Sequence, residues 1–152
     1  MKFIDLDIEF IIQQLERLNQ ETQPKWGKMS AQRMIEHLSD SVRISTGKSS
    51  FPLEIPEDRI GRMQDFLTSD KPMMKNVEVP FAGENTPLRH EEMALAIDEL
   101  VLELIDFEDY YVEDEKKTTL HPYYGHLNYD LWILLHKKHF SHHFAQFGLI
   151  ED

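Results

Sequence analysis

The sequence predicts an all-α fold, a bundle of four long helices with a long crossover between the second and the third, and three features carry that prediction. Apolar residues recur at three- and four-residue steps in four separate stretches, which is the period of amphipathic helices. Ser, Asn or Thr-Pro stands ahead of three of those stretches as a cap signature. No stretch alternates convincingly with the two-residue period of a half-buried strand.

Ile4, Ile8, Ile11, Ile12, Leu15 and Leu18 set the first helix at about residues 5 to 19. Pro24 and Gly27 then break the chain, and Ser30 is placed to cap a second helix that runs to about Ser45, just before Gly47. Met29 and Met34 flank that cap as a hydrophobic staple. Residues 48 to 88 carry five prolines and read as a long excursion, with one short helix from about Glu57 to Leu67. Val77 to Phe81 is at most a short extended segment. Thr86-Pro87 has the start signature of a third long helix, marked by Leu88, Met93, Leu95, Ile97, Leu100, Val101, Leu104 and Ile105 and ending near Asp106. Asn128 caps the last helix, with Leu127 and Trp132 as its staple pair, and Gly148 ends it.

A chain of 152 residues is the length of one domain, so a single domain over residues 1–152 is expected. With 41% hydrophobic and 29% charged residues it has the composition of a globular protein. The 28 acidic residues outweigh 16 basic ones for a net charge of −12, which opposes phosphate backbones and anionic lipid surfaces. The expected partner is therefore a small-molecule substrate, with no nucleic acid, no membrane, and a homodimer as the candidate assembly. The absence of Cys excludes disulfides, thiolate ligands and a cysteine nucleophile, so any metal must be held by His, Asp or Glu. The start MKFIDLDIEFII interleaves acids with apolar residues, unlike a signal peptide, and the longest apolar run is Leu131 to Leu135. A cytoplasmic location is the expectation.

The histidines of the last helix carry the chemistry. Advancing about 100° per residue from Trp132, His136, His139, His143 and Ile150 return to within about 40° of its direction. Leu135, Phe140 and Phe147 flank that line, while Lys137, Lys138 and Ser141 fall on the side assigned to solvent. Buried imidazoles are costly unless their nitrogens find partners, and one metal ion serves several at once. His139 and His143, spaced i and i+4, can chelate one ion, and Gln146 lies a turn further on the same side. His37 on the second helix, on the stripe of Met34, Leu38 and Ser41, offers the third ligand, and Glu36 beside it points away. His136 reads as a core or supporting residue, because three protein ligands suffice for an open site. His142, nearer the edge of the face, reads as packing or capping.

The segments PKWGKMSAQRMIEHLSDSVRI and HPYYGHLNYDLWILLHKKHFSHHFAQFGL resemble the two signature blocks of one branch of the DinB/YfiT-like superfamily of metal-binding four-helix bundles. That branch is catalogued as a domain of unknown function, and the resemblance covers nearly the whole chain. It implies that His37, His139 and His143 hold the metal with Gln146 supporting them. It also implies thiol-dependent transfer or metal-dependent hydrolysis, the activities of characterised relatives. The Arg-Gly pair that often precedes the Gln in the superfamily is Phe144-Ala145 here.

Three neutral imidazoles leave a divalent ion its full charge and an open position, which lowers the pKa of a water toward about 7 or receives a thiolate or carbonyl oxygen. All-nitrogen ligation admits zinc, nickel, cobalt or iron, with zinc or nickel preferred. His136, His121 and Asp40 are the candidates for a general base or a pocket-closing group. The alternative is a non-catalytic module in which the metal ties helices together or the pocket senses a ligand.

Overall fold

The computed structural model of the chain describes residues 2–77 and 85–152, and in these it is mostly helical with one two-stranded sheet. The elements are α1 (Ile8–Leu15), α2 (Ala31–Ser45), a 3-10 turn (Glu57–Arg59) running into α3 (Ile60–Thr68), α4 (Met93–Val112), β1 (Thr119–His121), β2 (Gly125–Leu127) and α5 (Tyr129–Gln146). The expected extended segment at Val77 to Phe81 lies outside the described residues after Val77.

Helices α2 and α5 begin where their caps predict. The Ser30 hydroxyl accepts the Arg33 N–H at 3.1 Å and the Asn128 side chain accepts the Leu131 N–H at 3.0 Å, each satisfying a donor that the first helical turn leaves free. Both staple pairs are buried. The first helix is shorter than the expected 5 to 19. Asp7 takes the cap and accepts from the Phe10 N–H, while the segment before it sends its Ile4 N–H to Ser141 Oγ at 2.9 Å.

Helix α4 starts later and ends later than its apolar pattern predicts. Residues 87 to 90 are held out of the helix by α2: the Arg89 and His90 N–H groups donate to the Glu36 carboxylate at 2.6 and 3.3 Å. At the far end, buried Phe107 and Tyr111 carry the helix beyond Asp106, and the Tyr111 hydroxyl donates to the Ser45 carbonyl at 2.8 Å. The hairpin of β1 and β2 was not expected; it pairs antiparallel with His121 opposite Gly125. Gly125 has φ +78°, and a Cβ there meets Ile60 Cγ2 at 2.8 Å, so α3 packs on a bare backbone.

Packing places α2 along α4, with α1 also against α4, and sets α5 against α2, α3 and β2. Helix α5 therefore has no open face of the expected width. Lys138 and Ser141, assigned to solvent from the helical wheel, are 1% and 0% exposed. Ser141 receives the N-terminal segment, and the Lys138 ammonium donates to the carbonyls of Ser69 and Lys71 while lying over the Phe3 and Phe66 rings. Among the described residues no helix is long and apolar enough to cross a membrane.

Candidate metal centre

Helix α2 brings His37 against His139 and His143 of α5. The Nε2 atoms of His37 and His139 are 2.8 Å apart and those of His139 and His143 are 3.1 Å apart, and one ligand atom from each ring lies within 4.8 Å of the others. The three rings meet edge to face with centroids 4.7 to 4.9 Å apart. His143 is buried, and His37 and His139 are of intermediate exposure as whole residues.

The protons can be placed from the partners. Gln146 donates its amide to the Trp26 carbonyl at 3.0 Å, so its oxygen accepts from His143 Nδ1–H at 2.7 Å. That fixes the tautomer and leaves a lone pair on His143 Nε2, facing the cluster. Gly27 makes the contact close: its φ is +77°, and a Cβ there comes within 3.0 Å of the Gln146 amide nitrogen.

These residues fit a divalent ion. Metal–nitrogen bonds of about 2.0–2.1 Å set ligand nitrogens roughly 3.0–3.4 Å apart, close to the spacings of His139 to its two neighbours. A single proton cannot serve two lone pairs on opposite sides as well as one ion does. Burial first, then the charge of Arg33 and the proximity of His142, brings the His37 pKa down to about 4. Burial and mutual proximity hold His139 and His143 well below the ordinary histidine value. Neutral imidazole is the ligating form.

The remaining candidates are engaged elsewhere. Asp40 is clamped between Arg33 at 2.7 Å and Arg89 at 2.6 Å. His136 is fully buried and its Nε2 lies 3.1 Å from Ser45 Oγ. His121 Nδ1 accepts the Tyr123 N–H at 3.0 Å, inside the hairpin turn. Burial brings both of these histidines down to about 3. Glu36 points away from the cluster as expected, but into protein: it is 0% exposed and binds residues 89 and 90.

Two participants had no sequence signal: the Trp26 carbonyl is a backbone group, and Arg33 reads as an ordinary first-turn cation. Residues 1–148 match a family described as Protein of unknown function (DUF1569), and no curated protein and no solved structure matches the chain.

Proposed function

We propose that this chain, which belongs to the DUF1569 family, is a metal-dependent enzyme of the DinB/YfiT-like four-helix-bundle superfamily, a hydrolase or thiol-dependent transferase acting on a small molecule. The observation that carries this reading is the convergence of three imidazole nitrogens from α2 and α5. Zinc or nickel suits the all-nitrogen donor set. When bound, the ion supplies Lewis acidity, lowering the pKa of a water or thiol at its open position and polarising a carbonyl oxygen.

The chain's own residues orient and shield. Gln146 holds the His143 ring, Trp26 and Gly27 hold Gln146, and the low proton affinity of the three rings keeps them available as ligands. Asp40 is held by two arginines, and His121 and His136 each have one ring nitrogen engaged away from the three-histidine cluster. Thiol transfer asks less of the protein than hydrolysis here, since a metal-held thiol needs no side-chain base. The net charge of −12 opposes nucleic acid and anionic membranes as partners.

The same commitments favour one alternative, a non-catalytic module whose metal ties α2 to α5. Cobalt substitution separates the two. The enzyme reading expects an exchangeable position whose visible absorption changes on adding azide or a low-molecular-weight thiol. A spectrum indifferent to both, with metal loss lowering only the melting temperature, establishes the structural tie instead.

A further inference from the structure

Exposed apolar side chains gather on one helix. Of the seven large hydrophobic residues standing in solvent among the described residues, four belong to α4: Leu95, Leu102, Ile105 and Val112, between 42% and 76% exposed. With the exposed Asp98 and Asp109 they follow one another at alternating steps of three and four residues, the heptad spacing of a coiled-coil seam. At about 100° per residue the centre of this stripe lies opposite the side of α4 that carries buried Ala96, Leu100 and Phe107. That buried side rests on α2 and α1, so the seam is a second, outward face on a helix whose inner face is already filled.

The two aspartates say what covers the seam. Helix α4 carries six carboxylates and no Lys or Arg. Four of the six are engaged: Glu99 with Arg89, Glu103 and Asp106 with Lys48, and Glu108 with the Tyr129 hydroxyl. The Asp98 and Asp109 side chains have no ion pair and no hydrogen bond among the described residues. They stand inside the apolar stripe, eleven residues and roughly 16 Å apart along the axis. A second copy of the chain is a poor occupant. Aligning the whole stripe with itself, parallel or antiparallel, sets each aspartate against another carboxylate, and other registers bury them against apolar side chains. The net charge of −12 on each copy adds to the repulsion.

We propose that the outer face of α4 docks an amphipathic helix of another protein, whose apolar seam carries Lys or Arg at two positions eleven residues apart. The leucines, Ile105 and Val112 supply the apolar contact, and Asp98 and Asp109 fix the register by pairing with the two cations, as polar seam residues do in coiled coils. The spacing of eleven serves a parallel and an antiparallel partner alike. The docking does not involve the metal centre, whose histidines stand on α2 and α5.

The test uses fluorescein-labelled peptides of about 21 residues, three heptads, with a leucine seam and Ala, Gln and Ser elsewhere. Two of them differ only in carrying Lys or Glu at two seam positions eleven apart, and a third is the Lys peptide scrambled, which keeps the charge and loses the seam. Anisotropy titrations with the intact chain are expected to show saturable one-to-one binding of the Lys peptide, with the Glu and scrambled peptides weaker by about tenfold or more. Leu102→Gln, at an exposed position that does not threaten the fold, weakens the Lys peptide by about tenfold. Asp98→Lys with Asp109→Lys reverses the preference between the Lys and Glu peptides. Asp58→Lys with Asp65→Lys, the same charge change at exposed positions in α3 and the turn before it, does not. If a variant does not fold, the three peptides on the unaltered chain carry the decision. No saturable binding, equal affinity for the Lys peptide and either of the others, or an equal effect of the two charge reversals overturns the assignment. So does a dimer of the chain alone, seen by sedimentation equilibrium and dissolved by Leu102→Gln, which gives the face to a second copy.

Discussion

At the residue scale, the side chain that decides the centre's geometry is not a ligand. Gln146 can satisfy both Trp26 and His143 only in one amide orientation, and that orientation dictates which His143 nitrogen carries the proton. Gln146→Leu fills similar volume and removes both bonds, so metal affinity is expected to fall by about 10–100-fold with the helices intact. A chelator-competition titration reads this directly, and an unchanged affinity removes Gln146 from the centre. His121 and His136 make a different prediction. Their folded pKa values of about 3 lie below the ordinary 6.5, so the folded chain stays neutral where the unfolded chain takes up protons. Stability is at its full value above about 6.5 and falls as pH drops from there toward 3. Between pH about 6.5 and about 5, above the carboxylate range, urea midpoints of chelator-treated protein should decline steadily. A flat profile there means that these rings are not buried neutral.

At the element scale, Glu36 explains why α4 is displaced from its apolar pattern. Burial alone raises a carboxyl pKa, but the N–H groups of Arg89 and His90 and the Gln32 amide outweigh it and keep Glu36 ionised. Removing it leaves the N–H groups of residues 89 and 90 without their acceptor. Glu36→Ala is expected to cost about 3 kcal/mol, read by chemical denaturation, with Glu36→Gln milder; wild-type stability in Glu36→Ala contradicts that role. The start of α4 was illegible in sequence for this reason: Thr86-Pro87 is a sound local signal, overridden by a contact 53 residues away. Helices α2 and α5 were legible because their caps and staples are local. The hairpin was not, since three residues per strand are too few to show alternation. Lys138 and Ser141 were misread because a helical wheel assumes one solvent face, and α5 is enclosed on that side by the N-terminal segment and residues 69 to 71. The three histidines and Gln146 were brought together as their spacing indicated, while Trp26 entered through a backbone carbonyl that no residue type reveals.

At the scale of the whole molecule, an acidic chain places its cluster of low-pKa imidazoles between two largely enclosed helices, α2 and α5. Burial of so many polar groups is costly, and most of them are matched: Arg33 with Asp40, Glu36 with two backbone donors, His143 with Gln146. The three Nε2 atoms are the conspicuous set that protein groups alone leave facing one another, and a divalent ion resolves them together. The most direct measurement is elemental analysis of the protein purified without chelator, beside His139→Ala and His143→Ala. About one divalent ion per chain is expected in the wild type and none in either variant. Full retention of metal by both variants, or a wild-type protein that takes up neither zinc nor nickel when offered them, contradicts the centre described here.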